Sequence, residues 1–222
     1  MLVLNNVESR FKAGFNQGPF PASVVQYDGA GAAVRRYDMA LGDSAATAEV
    51  RLDGTGSGSG FVTVAGERIY SDQYVTLSDG IAYTATHGRH EFVEAYPWLA
   101  RVLLAVSGAL LAPVGRTLPV FVKDQYLYLG AGCRSHLLVM NLSNVTNRVR
   151  VRATRGGRVA ARLLTLPPMG SHLLDVSSLV IAAADPISVV RARLHANAWF
   201  NFYVVGAGPK DLAGPLSLMH VK

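Results

Sequence analysis

The chain has 222 residues, half of them hydrophobic and only 16% charged, with 22 glycines and 10 prolines. This composition excludes a disordered chain, because apolar content is too high and charge too low; the length suits one large β domain or two small ones, and either buries a sizeable core. The formal net charge of +6 and an isoelectric point near 9.7 fit either a polyanion partner or a plain solvated basic face. So little charge also implies that much surface is buried, internally or against other subunits. Cys133 is the only cysteine, so no intrachain disulfide forms.

The N-terminus lacks the basic and long apolar regions of a secretory signal. It predicts a chain that stays where it is made, leaves by lysis or a dedicated route, or has had a signal removed. Residues 1–21 read as an arm docking on a neighbouring subunit or as an edge strand, with Phe11, Phe15 and Phe20 among glycine and proline. Ser23 to Ala48 reads as a hairpin about Asp28-Gly-Ala-Gly31. The glycine-rich run Gly54 to Gly60 has partial phosphate-loop spacing, but a strand follows it rather than a helix, so it reads as a hairpin tip. Two more strands are expected between Ile69 and Thr86.

Trp98 to Ala112 is apolar nearly all round and follows Pro97, a helix-starting residue. It predicts a buried helix, packed between two sheets or into a subunit interface. Its length and Arg101 argue against a membrane span.

From Leu118 onward strand patterns dominate. Val149, Val151 and Ala153 alternate with Arg148, Arg150 and Arg152, which predicts a half-exposed strand. Arg155-Gly-Gly-Arg158 predicts a tight hairpin turn, and Pro167-Pro-Met-Gly170 ends the return strand. Strands are expected at Ile187 to Leu194 and Trp199 to Val205. No acid occurs between Gln125 and Leu174. The arginines there, Arg148, Arg150, Arg152, Arg155, Arg158 and Arg162 above all, predict a basic face for a polyanion or a neighbouring subunit.

Candidate chemistry is sparse. His87, His90 and Glu91, with Glu94 nearby, are the one cluster that suggests a metal, but Gly88 breaks helical ligand spacing and a polar turn is the plainer reading. Cys133 and His136 suggest a thiolate pair, set against a buried inert thiol. Ser171, His172 and Asp175 assemble a triad on paper, without a nucleophile elbow. Asn141-Leu-Ser143 and Asn144-Val-Thr146 match the glycosylation acceptor pattern, which matters only on export. Asn197, Trp199, Asn201 and Tyr203 alternate with Phe200, Phe202 and Val204; they read as a base- or sugar-stacking face or as burial on both sides, the latter preferred. The reading therefore carries no catalytic residue, cofactor or metal.

Leu137-Leu-Val-Met-Asn-Leu-Ser143, Val149-Arg-Val151 and Leu164-Thr-Leu-Pro-Pro-Met-Gly-Ser-His-Leu-Leu-Asp-Val-Ser-Ser-Leu179 together resemble the Ig-like sandwich modules of prokaryotic surface proteins. The resemblance covers about a third of the chain, at 137–205. It implies a β-sandwich with a scaffold or adhesion role and carries no catalytic residues.

The expected fold is all-β: antiparallel, sandwich-like halves at 1–95 and 116–222, joined by an apolar helix connector at 96–115, or one jelly roll interrupted by that helix. The expected function is a non-enzymatic, self-assembling structural subunit of a virion, capsid or tail, whose arginines meet nucleic acid or an acidic subunit. A cell-surface or pilus-like module is the alternative, and a metal-dependent hydrolase at His87, His90 and Glu91 the third.

Overall fold

The computed structural model describes residues 2–5, 20–41, 47–52, 59–66, 72–78, 83–87, 92–130, 132–180, 187–208 and 211–220. The chain is mostly antiparallel β-sheet. Strands β1 (Leu2–Asn5), β2 (Phe20–Asp28), β3 (Ala33–Leu41), β4 (Thr47–Val50), β5 (Gly60–Gly66), β6 (Asp72–Ser78) and β7 (Tyr83–His87) come first. Helix α1 (Trp98–Leu111) and one 3-10 turn (Ala112–Val114) follow. Then come β8 (Phe121–Leu129), β9 (Arg134–Asn141), β10 (Asn147–Arg155), β11 (Arg158–Leu166), β12 (Ser171–Asp175), the short α2 (Ser177–Val180), β13 (Ser188–Ala196), β14 (Phe200–Gly208) and β15 (Asp211–His220).

The strands form four sheets: β4-β1-β6-β7, β3-β2-β5, β11-β10-β13-β8 and β12-β9-β14-β15. No described strand from before α1 enters a sheet from after it, as a single jelly roll would require. β1 lies between β4 and β6, so this part of the expected arm is a central strand rather than an edge. Leu2, Leu4, Val24 and Val50 form a small core between the two N-terminal sheets.

The larger core lies between the two C-terminal sheets. Val149, Val151 and Ala153 of β10 join Val190, Ala192, Leu194 and Ala196 of β13. Leu137 and Val139 of β9 meet them from the other sheet, with Phe200, Phe202 and Val204 of β14. Each fully buried Val, Leu or Phe contributes roughly 1.5–3 kcal/mol. The arginine–valine alternation of β10 is what turns its basic residues outward. Gly156 and Gly157 both have positive φ, 50° and 84°, the two-residue turn whose twist matches the flanking strands.

The halves touch where the β2–β3 turn meets the turn after β11. Ser171 N donates to Gly29 O at 3.0 Å. Gly31 holds φ 84°, and a Cβ there would collide with the Pro168 carbonyl oxygen. β7 lies against β15, and β5 against β12.

One end of the C-terminal sandwich is fastened by buried amides. Asn147 is fully buried; its Nδ2 donates to Ala198 O at 2.9 Å and its Oδ1 accepts from Ala198 N at 3.2 Å. Asn141 Nδ2 donates to Val145 O and Pro167 O, both at 2.7 Å. Ser143 Oγ donates to Asn141 Oδ1 at 2.6 Å. Asn197 Oδ1 accepts from Arg148 N. These bonds serve backbone groups left without ladder partners where the chain crosses between sheets. Asn197 and Asn201 are both buried, in line with the preferred reading of that stretch as buried on both sides.

Asn147→Ala is expected to lower stability by about 3 kcal/mol, because buried backbone groups of Ala198 lose their partner. Asn144→Ala, at an exposed position, should cost less than half as much. Urea unfolding of the two variants checks the ranking.

Candidate basic and apolar interface

The outer face of sheet β11-β10-β13-β8 is built in cross-strand rows. Arg150 pairs with His195, Arg152 with Arg193 and Thr154 with Arg191. Across β13, His195 pairs with Val122, Arg193 with Asp124 and Arg191 with Tyr126. Asp124 is thus the acid that enters this surface, a neighbour that the acid-free run 125–174 hides. It accepts from Arg191 at 3.1 Å and from Arg193 at 2.9 Å. Those bonds, Arg193 first, hold its carboxyl well below the usual carboxylate range. Arg150 and Arg152 have no ion pair among the described residues.

The arginines do not form one face. Arg150 and Arg152 point outward from β10. Arg148 is half-buried and runs beneath α1, against Gly108. Arg155 Nε donates to Ser188 Oγ at 2.6 Å. Arg158 and Arg162 pair with Arg155 and Val151, so β11 turns them to the opposite side from Arg150. Arg162 lies near His172 of the other sheet and, after burial itself, lowers that imidazole's proton affinity. The correction has a simple cause. Strand parity is counted within each strand, and the hairpin register places odd-numbered residues of β11 opposite even-numbered residues of β10.

Of the two placements expected for helix α1, between sheets or in a subunit interface, the first does not hold: it is not enclosed between sheets. Only Leu104 and Gly108 are buried, against the β9–β10 turn at Val145 and against Arg148. Trp98, Leu99, Val102, Leu103, Val106 and Leu110 are 48–73% exposed. The C-terminal core closes without the helix, and no described residue covers its far side. The helix is tethered at both ends. Asn144 Oδ1 accepts from Tyr96 N at 2.9 Å, and Tyr96 Oη accepts from Trp199 N at 3.0 Å. Beyond the helix, Thr117 Oγ1 donates to Arg148 O at 2.8 Å. Burial raises the Tyr96 hydroxyl's pKa. Phe92, Val93, Val114, Leu118, Val120 and Val122, before and after the helix, are exposed as well.

The other sequence candidates separate. His90 and Glu91 lie outside the described residues, and His87 ends β7. Among the described residues no group of three or more His, Cys, Asp or Glu is placed to hold a metal. Cys133 is exposed, not buried, because it sits in the tight β8–β9 turn, bonded through its backbone to Gly130. Ser171 is buried and donates to Ser59 Oγ at 3.0 Å. Asp175 accepts from Ser177 N at 2.8 Å and so caps α2; strand alternation places Ser171 and His172 on opposite faces. Asn141 is fully buried and bonded, so the folded chain does not present it for glycosylation. Trp199 stacks on Phe92 with centroids 4.9 Å apart, and Lys123 Nζ lies 5.2 Å from its ring centre. No described helix is long and apolar enough to cross a membrane.

His195 has its pKa lowered from the ordinary 6.5 by burial first, then by Arg193 and Arg150. The unfolded chain therefore binds this proton more readily. Stability is full above about pH 6.5 and falls as pH drops through the window down to the folded value. His195→Gln is expected to reduce that acid-side loss, read as a smaller difference between urea midpoints at pH 7.5 and pH 5. No family model, curated protein or solved structure matches this chain.

Proposed function

We propose that the chain is a non-enzymatic structural subunit that assembles with copies of itself, most simply as a virion protein of capsid or tail. The observation that carries this reading is the outer face of α1. Leu99, Leu103, Val106 and Leu110 are all more than half exposed, and their 4-3-4 spacing is that of a helix–helix seam. At 3.6 residues per turn the row lies opposite Leu104 and Gly108. With Trp98 and Val102 they leave on the order of 700 Å² exposed, above the roughly 300–600 Å² of an ordinary monomer's largest apolar patch and near the ~800 Å² each partner gives a standard interface. The helix has no acid, and its one base, Arg101, lies off the row, so pairing desolvates no charge on the seam. Antiparallel pairing of two such helices also sets their macrodipoles head to tail.

Arg150 and Arg152 give the outer sheet face free cations, beside Arg191 and Arg193, which share the single carboxylate of Asp124. In the assembled particle this face meets the phosphates of packaged nucleic acid.

Sedimentation and electron microscopy of the purified chain should show dimers or larger particles. Leu103→Glu with Val106→Glu should reduce these to monomer while changing unfolding stability by less than about 0.5 kcal/mol, as surface substitutions do. A wild-type chain that stays monomeric at tens of micromolar overturns the reading. Nucleic-acid binding should weaken steeply with salt, and Arg150→Gln with Arg152→Gln should reduce the log–log slope by about 2. A slope unchanged by both substitutions removes the phosphate contact and leaves the assembly reading standing.

A further inference from the structure

Between α1 and the β9–β10 turn lies a cavity of about 440 Å³, within the roughly 300–1,000 Å³ range of small-molecule sites. Its walls are unequal in chemistry. Trp98, Val102 and Leu104 on the helix and Val145 on the turn are apolar. Arg101 and Arg148 also line it, and no acid does.

Arg148 is the informative member. Its backbone is fastened on both sides, N–H to Asn197 and C=O to Thr117. Its side chain is thereby directed under the helix, where Gly108 leaves room for the guanidinium and a Cβ would not. There the Nε is buried and has no hydrogen-bond partner. Neither Arg148 nor Arg101 has an ion pair among the described residues. A half-buried guanidinium with a closed, partnerless Nε and no acid beside it is costly, and an oxyanion in the cavity offsets that charge as neutral water cannot. Apart from the two arginines, the polar lining residues are the neutral Asn144, whose Oδ1 already accepts from Tyr96 N, and Thr146; the other walls are apolar. They suit a short hydrocarbon body.

We infer that this cavity is a binding site for a small amphipathic oxyanion, a carboxylate or phosphate monoester on a short apolar body, with Arg148 and Arg101 holding the headgroup and Trp98, Val102 and Leu104 the body. The site does not rest on assembly: Leu104, Val145 and Arg148 line it on the sandwich side of α1, while Trp98 and Val102 border both the cavity and the exposed leucine row.

The test uses the intact chain in whatever assembly it forms. Octanoate and octyl phosphate are titrated by calorimetry with tryptophan emission as the second readout, since Trp98 lines the cavity. Octanol and inorganic phosphate are the controls. One equivalent per chain of at least one amphipathic anion is expected, at least tenfold tighter than either control. Arg148→Gln should weaken it tenfold or more, with the thermal transition retained, and Arg101→Gln should weaken it less. The tighter of the two anions identifies the headgroup. Octanol binding as well as octanoate, no saturable binding up to millimolar ligand, or binding unchanged in both arginine variants each overturns the inference. Loss of assembly in the leucine-row variant with ligand binding intact separates this site from the proposed subunit interface.

Discussion

The arrangement depends on a handful of buried amides at one end of the C-terminal sandwich. A β-sandwich must carry its chain from one sheet to the other, and each crossing strands backbone N–H and C=O groups in the interior. Asn147 answers the crossing after β13 by bonding both the N–H and C=O of Ala198. Asn141 answers the β9–β10 and β11–β12 turns at once, through Val145 O and Pro167 O. Short polar side chains suit this work because they reach neighbouring backbone without filling the core. Their registry also fixes which residues of β10 and β14 face inward. A slip of one residue would turn arginines into the core, and the hydrophobic pattern forbids that.

The same corner decides where α1 goes. The segment entering the helix runs along Ser143 and Asn144, and Tyr96 and Thr117 tether its two ends to the β13–β14 and β10 backbone. Between the tethers the helix touches the sandwich through little more than Leu104 and Gly108. Both sheets already close on each other, so the helix adds no layer to the fold. Its apolar outer side is left exposed by the described residues. That is the physical ground for reading the chain as a subunit rather than as a self-sufficient monomer.

Charge is arranged by the same cross-strand geometry. Asp124 stands two strands away from β10 and offsets part of the charge of β13 while leaving Arg150 and Arg152 free. Arg148, one strand position from the fastened corner, is drawn under the helix and removed from the outer face. One run of alternating arginines therefore yields two environments: an open cationic sheet face and a half-enclosed guanidinium beside an apolar wall. They differ in water access, and so in the anions they suit.

Local sequence determined the all-β class, because alternation and turn chemistry are properties of a few adjacent residues. Asp28 to Gly31, Arg155 to Arg158 and Pro167 to Gly170 mark turns whose backbone needs are local, and the two-glycine turn has the positive φ values that residue type predicts. The apolar helix was legible for the same reason. What tertiary structure alone decided was everything that depends on a distant partner. Whether an apolar helix is covered depends on what two sheets leave open, which no window of the sequence contains. Asp124 beside Arg193, Arg162 turned away from Arg150 and Asn141 closed to solvent follow from strand register and sheet order, set by the whole core. Local chemistry writes strands and turns; long-range packing assigns their faces.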